Sequence, residues 1–181
     1  EDRFLMGFEE SYGYLVGTHA RDKDAIVATM LCVEMASYYA AKGMDLYEAM
    51  DALYKKYGYY LNGTVNAAFP GASGAQKMTQ IMDGLRKNPL TEIGGFAVEG
   101  MTDYATGPEM PRVSGLQKEA PQNLPPANVI EYRLEGNNKV IFRPSGTEPK
   151  VKAYLFSVGA TREESEAVRA KLEAASKQIL S

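Results

Sequence analysis

The chain has 181 residues, a formal net charge of −3 and ordinary apolar content, which suits one packed domain or one domain plus part of another. That charge, with no lysine- or arginine-rich run, excludes a nucleic-acid surface of the usual basic kind. The single cysteine, Cys32, excludes an internal disulfide, no apolar stretch reaches the length of a membrane span, and no leader pattern is visible, so a soluble cytoplasmic protein is expected.

The chain opens with Glu-Asp-Arg instead of Met, which reads as a piece of something longer. Phe4, Leu5 and Met6 are apolar and end at Gly7, a short buried strand. It runs into the loop Phe8-Glu9-Glu10-Ser11-Tyr12-Gly13. Adjacent carboxylates and a hydroxyl at a strand end suit a sugar, because carboxylates accept hydrogen bonds from ring hydroxyls. The same residues also read as a solvated acidic turn. Ser11 lacks the first glycine of a Gly-x-Ser-x-Gly elbow. Pairing it with His19, the single histidine, would leave two carboxylates where an oxyanion hole is needed. A hydrolase is disfavoured, and His19 reads as a surface or inter-element residue.

Asp22 is the expected N-cap of a helix running to about Ala41, with Asp24 in its first turn and Gly43 as its stop. Cys32 lies in an apolar helical pattern and is expected to be a buried thiol. Neither aspartate has the companions a metal site requires. Asp45 and Glu48 form a capping box for a second helix ending near Tyr57. Its apolar positions are Leu46, Ala49, Met50, Leu53 and Tyr57. The many tyrosines around it read as packing residues, since no basic groove accompanies them.

Around residues 58–63 the pattern turns from helical to extended, and the domain boundary is placed there. Residues 64–69 read as a strand turned by Pro70-Gly71. Ser73-Gly74-Ala75-Gln76 is read as another capping box. Its helix carries Met78, Ile81, Met82 and Leu85 on one face and stops at Asn88-Pro89. A glycine-containing strand follows, from about Ile93 to Tyr104. Residues 105–128 are proline-rich and aperiodic, a surface excursion with no assigned chemistry. Ile130, Tyr132 and Leu134 alternate with charged residues, Gly136-Asn137-Asn138 is a hairpin turn, and the next strand ends at Arg143. After a strand at 151–158, Thr161 caps a final helix whose apolar face is Ala167, Val168, Leu172, Ala175 and Ile179. No Walker-type loop is present, which disfavours a nucleotide kinase.

The most informative stretch is Arg143-Pro144-Ser145-Gly146-Thr147-Glu148-Pro149-Lys150. It joins two alternating apolar runs, so it is a loop between strands. Two prolines stiffen its ends. Gly146 permits close approach of a ligand to the backbone. Arg143 offers a planar fork and Lys150 a mobile point charge. The chemistry suits a phosphate monoester, and it is also compatible with an ordinary polar strand connection.

This octapeptide resembles the phosphate-binding loop in the last domain of the α-D-phosphohexomutases, which include phosphoglucomutase and phosphomannomutase. Glu-Glu-Ser-Tyr-Gly is similar to the sugar-binding loop of the family's third domain, with Glu9 and Ser11 on the sugar-contacting positions. Phe8 departs from the glycine that often precedes the first glutamate. The aromatic after the serine is closest to the glucose-type branch. The resemblance covers essentially the whole chain. It implies an α/β piece, residues 1–58, that closes the sugar-binding domain 3, followed by domain 4, residues 59–181, an α+β domain with a mainly antiparallel sheet and two helices.

The implied activity is the interconversion of glucose 1-phosphate and glucose 6-phosphate through a bisphosphate intermediate and an enzyme phosphoserine. The full-length enzyme would use Mg²⁺ and glucose 1,6-bisphosphate. The phosphoserine and aspartate-rich metal loops belong to domains that these residues lack. The chain is therefore expected to be inactive alone, with no catalytic residue and no metal of its own. Its expected partners are a phosphosugar and the missing N-terminal domains of the same polypeptide. The resemblance implies sugar binding by Glu9 and Ser11, and phosphate binding by Arg143, Ser145, Gly146, Thr147 and Lys150. The same portion of a phosphopentomutase or phosphomannomutase, a non-catalytic phosphosugar-binding module, and a protein-binding scaffold remain alternatives.

Overall fold

The computed structural model describes residues 4–9, 12–105, 126–146 and 148–181. It divides into two compact units, Glu1–Lys56 and Tyr57–Ser181. No helix among the described residues is long and apolar enough to cross a membrane.

The first unit opens with a small antiparallel hairpin. Strand β1, Met6–Phe8, pairs with β2, Tyr14–Val16, so that Met6 faces Val16 and Phe8 faces Tyr14. The first strand therefore lies further along than Phe4–Met6, and it includes Gly7. Its partner was not expected, because three residues are too few to display an alternation.

Helix α1 spans Ala25–Ala40. Its N-cap is Asp24, not Asp22: the Asp24 carbonyl accepts the first helical bond from Ala28 N at 3.1 Å. Its carboxylate accepts from Ile26 N and Val27 N at 2.9 and 3.2 Å. Asp22 instead accepts from Lys23 N. Helix α2, Leu46–Tyr57, has the expected reciprocal box: Glu48 N donates to Asp45 and Asp45 N donates to Glu48, at 2.8 and 2.9 Å.

None of the residues of α1 is buried, although Ile26, Met30, Val33, Met35 and Tyr38 are exposed apolar side chains spread around it. A helix that is apolar on all sides is the kind found inside a larger layer structure. Cys32 is exposed, contrary to the expectation of a buried thiol, because none of the described residues of this unit covers its face of the helix. Helix α2 likewise buries only Ala49 of its apolar positions.

The second unit is an α+β domain built on a six-stranded antiparallel sheet. Its elements are β3 (Tyr59–Ala68), α3 (Gly74–Lys87), β4 (Glu92–Ile93), β5 (Phe96–Asp103), β6 (Ile130–Leu134), β7 (Lys139–Pro144), β8 (Lys150–Gly159) and α4 (Arg162–Ile179). The strand order is β3-β8-β7-β6-β5-β4. The expected single strand from Ile93 to Tyr104 is two strands, because Gly94 and Gly95, at φ +65° and +85°, turn the chain back. Residues 106–125, most of the proline-rich excursion, lie outside the described residues.

One face of the sheet is the core. Val65, Tyr132, Phe142, Ala153 and Leu155 are buried against Met82 and Leu85 of α3 and Leu172 of α4. Tyr132 meets Phe142 edge to face at 6.1 Å, and its hydroxyl donates to Leu85 O at 3.1 Å. Burial pushes the Tyr132 phenol up to about 12. Helix α4 starts with the expected capping box of Thr161 and Glu164. Helix α3 does not: Ser73 is already helical (φ −85°, ψ −5°) and its hydroxyl makes no cap bond. What fixes the start of α3 is close packing. A Cβ on Gly74 would stand 1.9 Å from Phe69 O and 3.1 Å from Pro149 Cβ, so only glycine fits.

Candidate functional site

The side-chain period of a strand is two, so the residues that alternate with the core positions share the sheet's other face. Val65 pairs with Ala153, and Phe142 pairs with Ala153, all three core positions. One residue along, Asn66 pairs with Lys152 and Arg143 pairs with Lys152. Asn66, Lys152 and Arg143 thus form a row across β3, β8 and β7, turned away from α3 and α4. Arg143 and Asn66 are exposed, and Lys152 is half-buried.

Lys152 was not singled out from the sequence. The signal was available: it lies two residues beyond Lys150 in an alternating strand, and so on the same face. Its juxtaposition with Arg143 needs the register. Two like charges directly opposed across a pair of strands repel. An anion held between them would offset that repulsion, so the pair is chemically suited to one.

The loop 144–149 closes the β7–β8 hairpin beside this row. Ser145 N donates to Lys150 O at 2.8 Å, and Glu148 N donates to the Ser145 hydroxyl at 3.3 Å. Phe69 N donates to Pro149 O at 2.8 Å, which ties the loop to the end of β3. Gly146 is exposed, and an added Cβ there would meet nothing within 4 Å. Glycine at this position leaves open space above the backbone; no left-handed conformation demands it. Lys150 is paired with Glu148. That pairing holds the Glu148 carboxyl below its usual range, with Lys152 contributing further. The loop therefore carries its own carboxylate in competition for the Lys150 ammonium. Ser145, Gly146, Glu148 and Pro149, with Gly71, Ala72, Ala75 and Met78 across from them, line an open depression of ≈ 320 Å³. Thr147 lies outside the described residues.

The second predicted cluster is in the other unit. Glu9 is exposed at the end of β1, and Glu9 N donates to Gly13 O at 2.9 Å, which closes the loop. Tyr12 takes φ +62°, a conformation uncommon for a bulky residue. Gly13 is buried, and a Cβ on it would stand 2.5 Å from Lys23 Cγ and 2.6 Å from Glu9 Oε1. Glycine here lets the carboxylate and the lysine stem pass close together. Lys23 Nζ is 3.8 Å from Glu9 and 3.1 Å from Asp22. The Lys23 backbone N–H, then its ammonium, hold Asp22 below its usual range, while Asp22 and Glu9 raise Lys23.

Glu9, Gly13, Arg21 and Lys23 line a depression of ≈ 250 Å³, which mixes carboxylate acceptors with cationic donors. Arg21 and Lys23 were not anticipated as part of it, because the hairpin partner β2 that carries the chain back beside Glu9 was not legible. Ser11 lies outside the described residues. His19 is exposed and shares a hydrogen bond with Asp24 at 2.9 Å, which holds the Asp24 carboxyl low and steadies the N-cap of α1. Among the described residues there is no group of three or more histidine, cysteine or acidic side chains able to hold a metal ion.

Residues 1–57 match the family described as phosphoglucomutase/phosphomannomutase, alpha/beta/alpha domain III. A phosphoglucomutase of Staphylococcus haemolyticus is 35% identical over 154 residues, 85% of this chain and 28% of that protein. One of Staphylococcus saprophyticus is 34% identical over 155 residues, again 28% of its length. Among solved structures, the open form of pp63/parafusin, an exocytosis-sensitive phosphoprotein and phosphoglucomutase from Paramecium, superposes with a TM-score of 0.62 at 17% identity, over 94% of this chain and 29% of that one. The chain thus spans about 28% of the length of the curated relatives it matches, and its likeness is to a phosphoglucomutase-like C-terminal portion.

Proposed function

We propose that this chain is the substrate-recognition portion of a phosphoglucomutase, a mutase that moves a phosphoryl group between the two ends of a hexose. The domain assignment that goes with it is a closing part of the sugar-binding domain over 1–58 and a phosphate-binding domain over 59–181. The observation that carries this reading is the opposed pair of Arg143 and Lys152 beside the Ser145–Lys150 loop. A guanidinium, ammonium groups, a hydroxyl and an open glycine are carried by one hairpin. That donor set suits a phosphate monoester.

The division of labour follows. Arg143, Ser145, Gly146, Thr147, Lys150 and Lys152 hold the phosphate that does not react. Glu9 and Ser11 hold ring hydroxyls. Gripping the distal phosphate uses binding energy to position the reacting oxygen. The substrate must be held in two orientations, and a site that reads a phosphate at either end of the sugar meets that need. Mg²⁺ and the phosphoserine would supply the phosphoryl transfer. They are assigned to the portion of the polypeptide outside this chain, together with the reactivation by glucose 1,6-bisphosphate. The apolar, unburied α1 fits this reading, since the matched family is an alpha/beta/alpha domain and a layered domain can cover such a helix.

The test is a titration of the chain with glucose 1-phosphate and with inorganic phosphate, followed by amide shifts. Responses at residues 143–152 that Arg143→Ala abolishes support the phosphate site. Additional responses at Glu9 with the sugar phosphate alone support the sugar site. Mutase turnover by this chain in a coupled assay would contradict the assigned division of labour. Mannose and ribose phosphates in the full-length enzyme decide between the glucose reading and the phosphomannomutase and phosphopentomutase alternatives.

A further inference from the structure

We infer that Asn66 is a ligand-contacting residue that reads a sugar hydroxyl next to the bound phosphate; this rests on the phosphate reading of Arg143 and Lys152. The register makes Asn66 the third member of their row: it pairs with Lys152, as Arg143 does from the other side. Directly paired positions on one face are about 5 Å apart at Cβ, so the row runs about 10 Å across three strands. That is wider than a single phosphate group.

The row is also chemically graded. Arg143 and Lys152 only donate hydrogen bonds, whereas an amide both donates and accepts. A phosphate needs donors, and a sugar hydroxyl also needs an acceptor. Asn66 supplies that acceptor one strand away from the cations. Its place is accessible: β3 is the edge strand of the sheet, and Asn66 is exposed on it. Among the described residues, no hydrogen bond engages the Asn66 side chain. The ligand would lie across β7 and β8 with its phosphate and extend over β3 with its ring.

The experiment uses the 181-residue chain in three forms, wild type, Asn66→Ala and Arg143→Ala, each titrated with glucose 1-phosphate and with inorganic phosphate. Asn66 faces solvent, so its truncation leaves the core contacts of Val65 in place, and the amide spectrum checks this. The expected result is a 3- to 10-fold loss of glucose 1-phosphate affinity in Asn66→Ala, about the net worth of one hydrogen bond, with inorganic phosphate binding unchanged. Arg143→Ala is expected to weaken both. Unchanged binding of both ligands by Asn66→Ala, or equal weakening of both, overturns the assignment while leaving the phosphate site standing. A wild-type chain that binds neither ligand overturns the phosphate reading and this assignment with it.

Discussion

Arg143 and Lys152 are direct cross-strand partners on the face of the sheet turned away from α3 and α4. Two cations in that relation destabilise the pairing they share. In the proposed phosphate site, an anion between them is the physical complement.

Removing one of the two charges should therefore separate stability from binding. Lys152→Gln is expected to raise the unfolding free energy by a few tenths of a kcal/mol and to weaken inorganic phosphate binding. Phosphate should stabilise the wild-type chain by mass action, and less so as salt is added. Thermal melts with and without phosphate check both. A loss of stability in Lys152→Gln would contradict the repulsive reading of the pair.

Glu148 is paired with Lys150, the ammonium that the proposed phosphate would have to share. Glu148→Gln frees the ammonium and removes a negative charge from the loop. Phosphate affinity should rise about two- to fivefold, the scale of an exposed ion pair. Isothermal titration at low salt measures it, and weaker binding would show that Glu148 supports the loop more than it competes.

Gly13 is the place where Glu9 and Lys23 pass one another. Gly13→Ala puts a methyl group into that space and displaces both side chains. Amide-shift changes at Glu9 on adding glucose 1-phosphate should disappear, while inorganic phosphate still perturbs residues 143–152. If the sugar phosphate response at Glu9 survives, the Glu9–Lys23 arrangement is not part of the sugar contact.

Tyr132 gives the second unit a definite alkaline limit. Its phenol ionises near 10 when unfolded and at about 12 in the folded chain. Above pH 10 the unfolded state releases a proton that the folded state keeps. The contribution is thus fully present below pH 10 and is lost as pH rises through 12, by about 3 kcal/mol in all. Tyr132→Phe should flatten that part of the stability profile, at the cost of the Leu85 hydrogen bond at lower pH. Urea unfolding at pH 8 and pH 11 reads the difference.

What the sequence disclosed follows the range of each interaction. The boxes at Asp45/Glu48 and Thr161/Glu164 involve neighbours four apart or fewer, and both are present as expected. The box at Ser73 is absent because Gly74, wedged against Phe69 O, sets the start of α3 in its place. Asp22 was the expected cap of α1, but Asp24 takes that position, its carboxylate accepting from Ile26 N and Val27 N and held by His19. Cys32 read as buried because its helix is apolar, yet periodicity cannot say whether the layer that would cover a helix is present. At the site, the Arg143–Lys150 loop was legible as a continuous string of chemistry. The row that extends it through Lys152 to Asn66 was not, because strand register is set by pairing between distant segments.

The same row has a kinetic consequence. Arg143 and Lys152 come together by closing one tight hairpin, a local event on a fast timescale. Asn66 joins them only when β3 finds β8 from the far end of the unit, after α3 and four further strands have intervened. Such non-local pairing carries the larger loop-closure cost and limits the rate. The cationic half of the row is thus expected to form early and its amide to arrive late, so phosphate in the refolding buffer would meet a partial site before the sheet is complete.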